Sequence, residues 1–190
     1  MPTSLIDPLQ TELYLRNALA FLAKSYVGVR ESGGDNKGPM VEMFQKAVDG
    51  KATREPWCAA LVQYCIKQAQ ACVEAITMQS LENAPLTFET EHVLTMWNKS
   101  PKELRREVPR PGDLLLWQKY DASGKPTTSG HVGVIVDVLD EDKLWTRTVE
   151  GNTSGEKDDV REGDVVATKT RNIHYNYGSL RPLGILSVWG

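Results

Sequence analysis

The segment "EPWCAALVQYC" (55–65) sets Cys58 directly behind Pro-Trp at the start of an apolar stretch. Cysteine attacks as the thiolate, and a thiolate needs help at neutral pH. A helix N-terminus offers that help through its partial positive charge, and its N–H groups can hold a developing oxyanion. The chemistry then needs a base, usually histidine, and a group to orient it. The chain has three histidines. His92 lies in an ambiguous middle stretch and His174 in a polar, aromatic segment near the end, whereas His131 opens the apolar run "HVGVIVDV" just after a loop. A hairpin whose turn is centred on Asp140–Glu141 puts His131 opposite Glu150. Directly opposed residues have Cβ atoms roughly 4.5–5.5 Å apart. A carboxylate at that distance can accept the second ring N–H, fix the tautomer and stabilise the imidazolium. Asn152 shares that face if the strand continues. A one-residue slip in register would undo the pairing.

Such a set needs a helix to carry the thiol and a sheet to carry the base. Residues 8–27 have near-helical apolar spacing at Leu9, Leu13, Leu15, Leu19, Leu22 and Tyr26, and Gly28 suits the end. "ESGGDNKG" (31–38) reads as a loop, and Pro39 can open a second helix. A third helix has Pro56 in its first turn, with Cys58, Val62, Cys65, Ala69 and Cys72 as a buried stripe. A short helix fits within "TFETEHVLTMWNKS", and "SPKELRREVPRPG" reads as a charged loop. The period then changes. Residues 113–118, 131–138, 144–150, "VVATKTRNI" and "LGILSVWG" are strand-like, with loops at 120–130 and 155–164. Helices followed by strands joined through short turns predict an α+β fold with an antiparallel sheet.

"PWCAALVQYC", "PRPGDLLLW", "SGHVGVIVDV" and "VEGN", in that order, resemble the CHAP family of cysteine amidohydrolases and peptidases, relatives of the NlpC-type enzymes within the papain-like fold. "GVRESGGDNKGPMVEMF" upstream is similar to CHAP-type wall hydrolases of phage origin. The resemblance spans roughly residues 25–188. It implies N-terminal helices packed on an antiparallel sheet, one catalytic domain over 1–190, and cleavage of an amide bond in bacterial peptidoglycan. It implies Cys58 as nucleophile, His131 as base and then acid, Glu150 as the group orienting His131, and Asn152 completing the polar set. Trp57 is taken as a substrate-binding residue on the cleft rim, with a core position as its alternative. The Asp-rich calcium loop of some relatives is not matched by "GGDNKGP", which is poor in carboxylates.

Each feature has a blander reading. Cys65 and Cys72 are read as small buried hydrophobes, Asp113 as a turn or strand-start residue, and His92 and His174 as surface or structural groups. Three cysteines and three histidines lack the CxxC or HxxxH spacing of a zinc site, so no metal or cofactor is expected. A composition of 41% hydrophobic and 25% charged residues is that of a globular chain, and a net charge of −3 argues against nucleic acid as a partner. Three cysteines on one helix face suggest free thiols and a reducing site of folding. The N-terminus has neither the basic nor the apolar region of a secretory signal, and no apolar run is long enough to insert in a membrane. The expectation is synthesis in the cytoplasm and action on the wall after release through a pore or a secretion machine, with an immunity protein as partner in the second case. Two rivals are a non-catalytic wall-peptide-binding module and a cysteine transferase or deamidase acting on proteins.

Overall fold

The computed structural model describes residues 8–78, 80–81, 87–140, 142, 144–154 and 163–189. Four α-helices come first: α1 (Pro8–Ser25), α2 (Pro39–Asp49), α3 (Cys58–Thr77) and α4 (Val93–Lys99). Pro39 occupies the first turn of α2, where its missing N–H costs nothing, and α2 ends at Gly50 in the left-handed conformation (φ 80°). Pro56 lies outside α3 rather than in its first turn. Trp57 is the N-cap and Cys58 the first helical residue.

The sheet has six strands, β1 (Arg105–Arg106), β2 (Leu114–Tyr120), β3 (Pro126–Asp140), β4 (Trp145–Thr153), β5 (Val165–Asn172) and β6 (Leu180–Leu186). They run in the order β1-β6-β2-β3-β4-β5, every neighbouring pair antiparallel. This is the expected α+β class. Two segments read as loops are structured. β3 begins at Pro126, inside the 120–130 loop, so only a tight turn around Asp121–Gly124 separates it from β2. The charged stretch after α4 carries a 3₁₀ turn at Lys102–Leu104 and the short β1. Most of the predicted 155–164 loop lies outside the described residues.

Alternation along the strands divides the core. Leu114, Leu116, Val132, Val134 and Val136 pack with α1 and α3, while Leu115, Trp117 and Ile135 join Ile173, Leu180 and Ile185 in a second cluster. Within α3 every residue from Cys58 to Val62 is buried, and burial then narrows through Cys65 and Ala69 to Val73. Cys72 is exposed, contrary to the expected stripe. A strict seven-residue repeat drifts by about 20° per heptad on a straight helix, which brings Val73 under the core and carries Cys72 out of it.

α1 is tied to the sheet by charge as well as by packing. The Arg16 guanidinium donates to Asp113 at 2.7 Å and to the Ser187 hydroxyl at 2.7 Å, and Asp113 is fully buried at the entrance to β2. Asp113 also accepts the Arg110 backbone N–H. It is the strand-start residue its sequence position suggested.

Candidate active site

Cys58 is the first residue of α3, 3% exposed, and its side chain lines an open cleft of about 290 Å³. Trp57 is the N-cap, and the 20-residue helix that Cys58 begins is anchored in the core. The positive end of the helix dipole therefore sits at the thiol. Pro56, Glu91, His92, Ser129 and Gly130 also line the cleft. Residues just before α4 and near the start of β3 thus border Cys58. Burial first, and then the charges of Asp49 and Glu55, push the Glu91 carboxyl up to about 7.

His131 is buried on β3, with its ring 5.8 Å from that of Trp117, its register partner on β2. Its Nε2 lies 2.9 Å from Glu150 Oε2. That leaves Nδ1 for the Cys58 thiol. Nδ1 has no hydrogen-bond partner of its own among the described residues, and the nearby Cys58 thiol raises the basicity of the ring. Burial alone would hold His131 neutral. The hydrogen bonds and charges of Cys58 and Glu150 outweigh it and raise its pKa to about 9.

The pairing of His131 with Glu150 is achieved through a different register from the predicted one. Gly133, not His131, stands opposite Glu150. Glu141, half of the predicted turn centre, lies outside the described residues, and β3 and β4 meet nearest the turn at Asp140↔Trp145. That places the turn later in the chain than predicted. Two irregularities in β3, at Ile135/Asp137 and Val138/Asp140, take back part of the offset. The net displacement is even, so His131 and Glu150 keep a common face as diagonal neighbours, within reach of a long side chain.

Glu150 is fully buried and saturated with donors. Thr148 Oγ1 donates to Oε1 at 2.6 Å, Arg171 Nε to Oε1 at 2.8 Å and Arg171 Nη2 to Oε2 at 2.9 Å. Burial would raise its pKa, but the Arg171 and His131 bonds and charges hold it far below the usual carboxylate range. Sequence reasoning missed Thr148 and Arg171. In "ATKTRN" Lys169 and Arg171 are buried while Thr168 and Thr170 are exposed, the reverse of the usual pattern for charges on a strand, and nothing in the sequence marks it.

Two predicted site residues stand elsewhere. Asn152 has φ 53° at an irregularity between Glu150 and Thr153, which rotates its side chain off the His131 face. Its amide donates to Glu31 Oε1 (3.3 Å), Asn36 Oδ1 (3.1 Å) and the Gly163 carbonyl (3.2 Å), so it secures the 31–38 loop instead of extending the polar chain. Trp57 is fully buried and not on the cleft rim. Its indole N–H donates to Glu31 Oε1 at 2.7 Å, its ring packs on Phe44, and a Cβ added to Gly151 would meet that ring at 2.8 Å. Glu31, also missed from the sequence, joins Trp57 and Asn152 and so braces the N-terminus of α3. His174 is exposed and lies on a separate groove beside β6.

Among the described residues no group of three or more His, Cys, Asp or Glu is placed to hold a metal ion, and no helix is long and apolar enough to cross a membrane. No curated protein and no solved structure gives a significant match. The family model of the CHAP domain matches residues 50–152, more than half of the chain, from just before Cys58 to just past Glu150. CHAP domains are cysteine-dependent amidase and peptidase modules that act on peptidoglycan. A thiol at a helix N-terminus, an imidazole on the adjoining sheet and a carboxylate behind it are the parts such chemistry requires, and the chain belongs to the CHAP domain family.

Proposed function

We propose that the protein hydrolyses one amide bond of the peptidoglycan stem, with Cys58 as nucleophile, His131 as proton carrier and Glu150 as the group that orients His131. The observation that carries this reading is the buried His131–Glu150 pair, 2.9 Å apart, on the sheet beside a Cys58 that begins α3 and lines an open cleft. Cys58 Sγ attacks the carbonyl carbon, and the oxyanion develops at the positive end of α3. His131 Nδ1–H gives its proton to the amine nitrogen as the C–N bond breaks, leaving a thioester on Cys58. Water then attacks the thioester, His131 takes its proton, and the C–S bond breaks to free the acid. Glu150 stays a carboxylate throughout and supports the imidazolium.

The bond is either the lactyl–alanine amide or a peptide bond within or between stems. The segments on the cleft, Glu91–Val93 and Thr128–Gly130, are placed to discriminate. Two settings suit the activity: a lysin released through a membrane pore, and a toxin delivered to a rival, for which a small immunity protein is the natural partner. Digestion of purified sacculi by wild type and Cys58→Ala, read by mass spectrometry, tests the proposal. Soluble fragments from wild type alone are expected, and their new termini name the bond. No release from any wall type by folded wild-type protein contradicts it.

A further inference from the structure

We infer that Arg171 is a positioning residue of this site: its guanidinium fork fixes the Glu150 carboxylate against His131, and its charge sets the pH window in which Cys58 and His131 work as a pair. The inference rests on the assignment of Cys58, His131 and Glu150 above. Arg171 lies on β5, outside the residues 50–152 that the family model matches.

The geometry is that of a two-point clamp. Arg171 Nε and Nη2 engage both oxygens of Glu150, at 2.8 Å and 2.9 Å. Thr148 holds Oε1 from the side at 2.6 Å, and Oε2 is left facing His131 Nε2 at 2.9 Å. Four contacts on one carboxylate fix its plane, and a bidentate arginine does this where a lysine could not. The guanidinium is itself held, 4.4 Å from the Tyr177 ring and 5.7 Å from that of Trp117. Tyr177 is fixed in turn, since its hydroxyl accepts the Asn172 backbone N–H at 2.6 Å. The same Trp117 ring packs on His131, 5.8 Å between ring centres. Aromatic rings thus brace both cationic partners of Glu150.

The charges alternate along the chain: thiolate, imidazolium, carboxylate, guanidinium. Arg171 is 2% exposed, so little solvent screens it. The groups around the carboxylate are His131 from β3, Arg171 from β5 with the buried Lys169 two residues before it, and Cys58 from α3 beyond His131. β2 contributes Trp117, which is uncharged. Removing the Arg171 charge makes the imidazolium easier to keep and the thiolate harder to form. Both edges of the working pH range must then move upward.

The test is alkylation of Cys58 by iodoacetamide across pH, read at the Cys58 peptide by mass spectrometry so that exposed Cys72 does not contribute. It needs no wall substrate, so it is independent of which bond is cut. For Arg171→Met both edges are expected to rise by about one pH unit, and sacculus turnover to fall on the order of 10- to 100-fold. For Arg171→Lys, which keeps the charge and loses the fork, the edges should stay at the wild-type positions while turnover still falls about tenfold. A folded Arg171→Met with unmoved edges overturns the inference. If that variant does not fold, Arg171→Lys decides: edges that move, or turnover equal to wild type, overturn it. Wild-type Cys58 that reacts like an ordinary thiol of pKa about 8.5 removes the pair itself, and with it the role of Arg171.

Discussion

Gly133 stands directly across from Glu150, and a Cβ there would meet Glu150 Cγ at 2.7 Å and the Val149 carbonyl at 3.2 Å. The missing side chain gives Glu150 the room to lean diagonally onto His131. Gly133→Ala is therefore expected to displace the carboxylate and cut turnover on the order of 10- to 100-fold in a protein that still folds, as steady-state sacculus hydrolysis beside circular dichroism will show. The pH response follows from His131, whose folded pKa of about 9 is above its ordinary 6.5. The stabilisation this represents is complete below 6.5 and is lost as pH rises through about 9. Activity, which needs the imidazolium as acid, should decline over the same upper range, with thermal melts and rates measured from pH 6 to 10 falling together. Cys58, His131 and Glu150 were legible in the sequence because each carries a signal of type and place: a cysteine behind Pro-Trp, a histidine opening a strand, and a carboxylate on the same strand face. Arg171 carries no such signal, because its partner is reached only after β4 and β5 pair.

α3 is the element that presents Cys58, the proposed nucleophile, and its three cysteines separate by burial. Cys65 is fully buried, and burial pushes its thiol up to about 12, so it remains protonated and inert. Cys65→Ser puts a hydroxyl in that apolar site and is expected to cost about 1–3 kcal/mol. Cys72→Ser, on the exposed face, should stay within about 0.5 kcal/mol. Urea denaturation of the two variants, with turnover preserved in both, checks the division. The helices were readable from their apolar spacing and punctuation by Gly28 and Pro39, and the strands from their Val, Ile and Leu runs. The extension of β3 back to Pro126 was not, because Thr127, Thr128 and Ser129 look like loop and become strand only by pairing with β2. The β3–β4 register was not readable for a related reason. The two irregularities in β3 leave no mark in composition, and only because their net effect was even did the His131–Glu150 pairing survive. The left-handed turn at Asn152 and the full burial of Trp57 are likewise products of tertiary packing around Glu31, a residue with no local motif.

At the scale of the whole molecule, the site depends on helices and sheet being held in one relation, and the Arg16–Asp113 pair is a fastener far along the chain from Cys58. Asp113 is fully buried, and the Arg16 guanidinium joins it to Ser187 on the segment after β6. Asp113→Ala removes one of the two carboxylates on the Arg16 guanidinium, which keeps Glu12 at 2.7 Å, and is expected to cost about 1.5–3 kcal/mol. The loss should appear as a lower denaturation midpoint, with the Cys58 alkylation profile of the folded fraction unchanged. The central claim is that this assembly serves to acylate Cys58. It is tested most directly by intact-protein mass spectrometry of wild-type and Cys58→Ala protein, quenched in acid during incubation with soluble wall muropeptides. The account predicts an added mass equal to the acyl portion of the substrate, mapped to Cys58 and absent from Cys58→Ala. Turnover by Cys58→Ala, or an adduct mapped to any other residue, would contradict it.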